Sequence, residues 1–191
     1  TTEDRWNAGQ ERVSHLFVLT EGEREGNAAL NVVGQINDIA EGERIYAARF
    51  MGDRGFIVTF RQVDPLFTLD LSDPTAPQLV GELKVPGFST YLHPFDDEHL
   101  IGIGQSATDE GRIDGMQLSL FDVSDFAEPA LAHALPLGQG WSAALYDHHA
   151  FTYWSPLSTL MVPVNLWNED ARRAGLEFYR VSVEDGFDTL G

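Results

Sequence analysis

An all-β chain of repeated four-stranded antiparallel units is the fold class this sequence predicts, and three observations predict it. The first is a repeat. Arg54-Gly-Phe-Ile-Val-Thr-Phe60 leads to Leu66-Phe-Thr-Leu-Asp-Leu-Ser-Asp-Pro-Thr-Ala-Pro77, Glu98-His-Leu-Ile-Gly-Ile-Gly104 leads to Met116-Gln-Leu-Ser-Leu-Phe-Asp-Val-Ser-Asp-Phe-Ala-Glu-Pro129, and Ser158-Thr-Leu-Met-Val-Pro-Val164 leads to Leu176-Glu-Phe-Tyr-Arg-Val-Ser-Val183. The second is its spacing: Thr20 to Ser72 and Ser72 to Ser124 are 52 residues apart, and Ser124 to Ser182 is 58. The third is period: the apolar runs are too short for helices and alternate as half-buried strands do. A strand repeat of this length points to the blades of a β-propeller.

The elements follow in order, with the four strands of each repeat called a to d. At the front, Leu16-Phe-Val-Leu19 matches a strand c and Asn31-Val-Val-Gly-Gln-Ile36 a strand d. In the next repeat strand a is Ile45–Phe50, and Met51-Gly-Asp-Arg-Gly55 turns into strand b, Phe56–Phe60, since glycine supplies the positive φ that tight hairpins need. Strand c is Leu66–Leu71 and strand d Gln78–Val85, with Pro86-Gly87 as the stop. The following repeat reads Ser89–His93, Leu100–Gly104, Gln117–Val123 and Ala130–Leu135. The last gives Ala150–Trp154, Thr159–Val164, Leu176–Val181 and a weak strand d near Phe187–Leu190. Trp167–Ala174 is the best helical candidate, at most two turns.

The count is half a blade, two whole blades and one nearly whole blade, about 3.5 in one domain spanning 1–191. Residues 1–11 are set apart as a disordered start or the remnant of an upstream blade. A closed ring needs at least about four blades, and open blade edges invite pairing with other strands. The pattern therefore predicts completion by a second copy or by upstream blades of a longer parent chain. The first residues, Thr1-Thr-Glu-Asp4, hold no initiator Met and no signal peptide, which reads as a processed form or an excised piece.

Composition limits the partners. Thirty acidic residues against 12 basic ones give a formal charge of −18, a field that repels nucleic acid and anionic membranes. No apolar run approaches the ~20 residues that span a bilayer. The chain has no cysteine, which removes disulfides, thiolate metal sites and thiol nucleophiles.

The segments Leu69-Asp-Leu-Ser-Asp-Pro-Thr-Ala-Pro77, Phe121-Asp-Val-Ser-Asp-Phe-Ala-Glu-Pro129 and Asp147-His-His-Ala-Phe151 resemble the bacterial and archaeal secreted proteins with a C-terminal β-propeller domain, distantly similar to WD-repeat and YVTN propellers. The resemblance covers roughly residues 12–190. It implies export, hence an extracellular or periplasmic location, and a seven-bladed or similar ring. It implies no known activity.

Candidate chemistry is sparse. Asp70 and Asp73, and their counterparts in 122–129, could offer oxygens to Ca²⁺, but Asp and Ser in such turns cap their own backbone, and the outer repeats replace this Asp with Val18 and Arg180. Asp147-His148-His149 is the most chemical spot, with imidazoles beside a carboxylate suited to Zn²⁺. On an extended strand adjacent residues point to opposite faces, so the residues favour a bracing role over a shared ion. In a four-stranded meander the d–a and b–c links emerge on one face. That face gathers Asp109, Glu110 and Asp114 from one b–c link, Trp167, Glu169 and Asp170 from another, and Asp147, His148 and His149 from a segment read as a d–a link. Long loops on a rigid scaffold carry function. No phosphate loop, Gly-x-Ser-x-Gly elbow or His-Glu-x-x-His segment is present.

The expected function is a non-enzymatic binding or scaffold module of an exported protein, with a protein or carbohydrate ligand. The alternative is a propeller-type hydrolase of extracellular carbohydrate working through the face-loop carboxylates, none of which the spacing singles out as a pair.

Overall fold

The computed structural model describes residues 2–3, 13–60, 64–108, 111–167 and 172–191. They form four antiparallel sheets, as the repeat predicts. A half-blade comprises β1 (Thr2–Glu3), β2 (Val13–Arg24) and β3 (Asn27–Ile39) in the order β1-β2-β3. The first blade is β4 (Arg44–Met51), β5 (Arg54–Phe60), β6 (Asp64–Asp70) and β7 (Gln78–Val85). The second is β8 (Phe88–Pro94), β9 (His99–Ala107), β10 (Ile113–Asp122) and β11 (Ala130–Gly138). The third is β12 (Gly140–Trp141), β13 (Thr152–Trp154), β14 (Thr159–Trp167), β15 (Arg172–Ser182) and β16 (Gly186–Thr189). No helix among the described residues is long and apolar enough to cross a membrane.

Strand alternation explains why the sheets stack. Phe56 and Val58 of β5 join Leu92, Leu100 and Phe121 in a core between the first and second blades. Ile57, between them in sequence, turns the other way to Leu16, Ile39 and Leu69, against the half-blade. A third core, built on Ile101, Ile103, Leu118, Leu160, Val162 and Tyr179, joins the second blade to the third. Each such side chain, fully buried, contributes roughly 1.5–3 kcal/mol.

The c–d hairpins share one irregularity. A β-bulge opposes Val32–Gly34 to Val18/Leu19, Leu79–Gly81 to Thr68/Leu69, and Leu131–His133 to Leu120/Phe121. The residue after each bulge meets the c–d turn of the next blade. A Cβ on Gly34 would lie 2.2 Å from the Pro74 carbonyl oxygen, and one on Gly81 would lie 2.7 Å from those of Phe126 and Ala127. Only glycine admits these proline-containing turns. The third blade has the shorter turn Val183–Asp185, and there His133 replaces glycine, its Nε2 lying 2.8 Å from the Val183 carbonyl oxygen.

Two expectations need correction. The innermost strand of the third blade is not one run over Ala150–Trp154. It starts at β12, leaves the sheet, and resumes at β13, both pieces pairing with β14. Pro163 explains the break. Its carbonyl faces this side of β14 and accepts the Ser142 hydroxyl at 2.5 Å, so the ladder amide that proline lacks would have faced this strand too. The chain departs at Ser142 and fills the gap with two 3-10 turns, Ala143–Leu145 and His148–Ala150. Asp147 therefore lies inside the innermost strand's excursion, not in a d–a link. The helix expected over Trp167–Ala174 is also absent where the chain is described: Trp167 ends β14 and Arg172–Ala174 begin β15.

Candidate functional site

The first strands of neighbouring blades, β4 and β8, pack against each other. Their pairings with β5 and β9 carry the same bulge, which leaves Tyr46 and Thr90 as the extra residues. Bulges re-aim side chains, and both of these residues line one open cleft of about 650 Å³. Arg44 and Phe88, which open the two strands, line it too, with Gln105 and Ile113 from the ends of the second blade's b–c link and Leu145 and Tyr146 from the third blade's excursion. Three blades thus contribute to one cleft on the d–a and b–c side of the molecule.

The cleft is aromatic with one positive charge. Tyr46 and Phe88 pack at 4.5 Å between ring centroids, and the Arg44 guanidinium sits 5.6 Å over the Tyr46 ring. Tyr146 is 85% exposed. An exposed ring on a buried neighbour, Leu145, is a platform rather than a core residue.

The 3-10 turn after Tyr146 organises the second part of the site. Asp147 Oδ1 accepts the main-chain N–H of His149 at 2.9 Å and lies 2.9 Å from its Nδ1. That main-chain hydrogen bond first, and the ring second, hold the Asp147 carboxyl below the usual carboxylate range. The His148 and His149 rings lie 4.0 Å apart, and His148 stacks on Tyr91 at 6.3 Å. The alternation that would separate two strand histidines does not apply, because these residues are not on a strand. Tyr91 continues into a band of rings with His93, Phe151 and Tyr153. Burial, then the Arg49 charge, pushes the His93 imidazole toward its neutral form.

Of the residues predicted for this face, Asp147, His148 and His149 come together. Asp114 lies apart, accepting the Ser106 hydroxyl at 2.6 Å. Trp167 is the exposed end of β14, its amide bonded to the Gln139 carbonyl at 2.9 Å. Asp109, Glu110, Glu169 and Asp170 lie outside the described residues. In the c–d turns, Asp70 accepts the Ser72 amide and Asp73 the Thr75 amide, both at 2.9 Å. These carboxylates cap their own turns, and hydrogen bonds from Ser72 and Thr75 hold both below their ordinary range. Sequence reasoning missed Arg44, Tyr46, Phe88, Thr90, Gln105 and Tyr146. The signal was present: Arg44-Ile-Tyr46 and Phe88-Ser-Thr90 occupy matching positions at the starts of two strands.

Comparison with known proteins agrees with this architecture. The chain is 46% identical over 171 residues to an uncharacterized protein of Archaeoglobus fulgidus, a match covering 90% of this chain and 24% of that protein. It is 39% identical over 163 residues to an uncharacterized protein of Methanocaldococcus jannaschii, covering 85% of this chain and 24% of that one. The chain spans about a quarter of the length of these relatives. The family model for the beta propeller domain matches residues 1–191, and the chain belongs to that family.

Proposed function

We propose that this chain is a binding module, and that it takes a carbohydrate ligand bearing an acidic group in the cleft between its first strands. One observation supports this above the others: paired bulges turn Tyr46 and Thr90 into a cleft shared by three blades, with Arg44 at its edge. Aromatic faces pack on sugar rings, the Gln105 amide and Thr90 hydroxyl suit sugar hydroxyls, and Arg44 suits a carboxylate or sulfate. The net charge of −18 repels anions overall, so Arg44 at the cleft edge is the local charge that would hold an acidic group there.

A hydrolytic role would need a carboxylic acid kept protonated near neutral pH. Asp147 is shifted the opposite way, and Asp114 is held by a serine hydroxyl. At these two carboxylates the observations favour binding over turnover. Export, and completion of the ring by further blades, belong to the same proposal. The face of the third blade turned away from the second exposes Trp141, Trp154, Trp167, Leu176 and Phe178. An apolar cleft of about 550 Å³ lies beside β2, lined by Leu16, Phe17, Ile45 and Phe50. Both are surfaces that neighbouring strands would cover.

The test is a carbohydrate microarray holding polyuronates, sulfated oligosaccharides and neutral glucans, followed by calorimetry on any hit. Binding to an acidic class, lost in Arg44→Ala and in Tyr46→Ala with the fold intact, supports the reading. Binding to no carbohydrate, or binding untouched by both substitutions, overturns it.

A further inference from the structure

We propose that Asp147, His148 and His149 form a binding site for a divalent transition-metal ion of the zinc or copper type. Among the described residues this is the one group of three or more His, Cys, Asp or Glu side chains that converges, with one donor atom from each within 4.8 Å of the others. Convergence comes from the backbone. The excursion forced by Pro163 places the two histidines in a 3-10 turn, which sets their rings side by side instead of on opposite faces.

The ligand atoms are also prepared. Asp147 Oδ1 lies 2.9 Å from His149 Nδ1, so the carboxylate and that ring nitrogen already stand within ligand–ligand distance. The Tyr91 ring of the neighbouring blade lies roughly parallel to His148, 6.3 Å between centroids. All three residues are exposed, so an ion can enter and water can complete its shell.

Donor chemistry selects the ion. Two imidazoles with one carboxylate suit Zn²⁺ and Cu²⁺, whereas Ca²⁺ and Mg²⁺ require oxygen ligands in greater number. Bonds of about 2.0–2.1 Å bring tetrahedral ligands to roughly 3.4 Å from one another. The donor atoms lie within 4.8 Å of one another, and the side chains that would rotate to close that distance are exposed. Tyr146, which lines the cleft, directly precedes Asp147, so an ion here would lie at the cleft's edge. The proposal does not depend on the nature of the cleft's ligand.

Chelator-treated protein of the full chain is titrated with zinc sulfate, and separately with copper sulfate, by calorimetry. The expected result is one site per chain, weakened about tenfold or more by Asp147→Asn, which replaces the charged ligand with a neutral amide. His148→Ala and His149→Ala should each abolish it, and Asp114→Ala should leave it unchanged. Electron paramagnetic resonance of the copper form should show coupling to imidazole nitrogen. The turn is exposed, and circular dichroism verifies that each variant is folded. Absence of a defined site, a set of weak sites indifferent to the histidine substitutions, or a copper spectrum without nitrogen coupling would overturn the proposal.

Discussion

The second and third blades start from matching sequence patterns and treat their innermost strands differently. In the second blade, β8 runs unbroken from Phe88 to Pro94 against β9. In the third, the equivalent strand is split into β12 and β13, and ten residues between them, Ser142–Phe151, leave the sheet. The cores behind the two strands are alike. The difference shows that the third blade keeps the repeat in β14 and β15, which pack on the second blade, and departs from it in the strand that borders the cleft. Tyr146, Asp147, His148 and His149 all lie in the abandoned stretch.

The largest effect that would break this comparison belongs to the packing side. Gly81→Val drives side-chain atoms into the carbonyls of Phe126 and Ala127, so it should cost about 3 kcal/mol. Urea unfolding measures it. A loss below about 1 kcal/mol would mean that the turn can withdraw and that the blade contact is not fixed.

Next is a polar pair in the third blade's core. The Tyr179 hydroxyl donates to the buried Glu177 carboxylate, which also meets Arg173 at 2.5 Å. Tyr179→Phe removes that donor and should cost about 2 kcal/mol. Burial first, then Glu177, raises the Tyr179 pKa above that of a free phenol. The folded state therefore holds this proton more tightly than the unfolded one. Its contribution is complete below about pH 10 and is lost as pH rises beyond it. An alkaline unfolding profile in which wild type and Tyr179→Phe keep a constant difference from pH 9 to about 11 would contradict this.

A smaller effect compares one device in both blades. Asp122 accepts the Ser124 amide at 2.9 Å and its hydroxyl at 2.6 Å. Asp122→Ala should cost about 1 kcal/mol, because the turn it caps packs on the first blade. Asp147 makes the same kind of cap on an exposed turn, so Asp147→Ala should lower the melting temperature less. The reverse order would place the excursion among the packing elements. The smallest effect concerns His93. Its folded pKa is depressed, so its contribution is complete above the ordinary imidazole value of about 6.5 and is lost as pH falls below it. Melting temperatures of wild type and His93→Gln should converge on acidification from pH 7 to about 5; parallel curves would remove burial as the cause.

The parts of the molecule legible in its sequence are those governed by local rules. Gly52-Asp53 and the Asp-x-Ser-Asp turns at 70–73 and 122–125 announce themselves by turn chemistry, and the continuous apolar run Phe56–Val58 marks a strand buried on both faces. The split strand was not legible. Pro163 is plain in the sequence, yet its effect depends on which neighbour its missing amide would have faced, and that is a matter of register. The same error placed His148 and His149 at a strand entry, where alternation seemed to part them. The cleft was hidden for a different reason: Arg44, Gln105 and Tyr146 meet only because three blades converge.

The alternation of glycine and histidine after the c–d bulges also bears on how the chain assembles. Blades of similar sequence risk docking on the wrong neighbour while they fold, a known failure of repeat proteins. The third blade's short turn set against Gly81 would leave a gap, and the proline turn of the second blade set against a histidine would collide. Glycine at 34 and 81 and histidine at 133 thus separate the third blade's short turn from the two proline-containing turns. The place of the third blade is written a second time, sterically, in the seam it shares with the second.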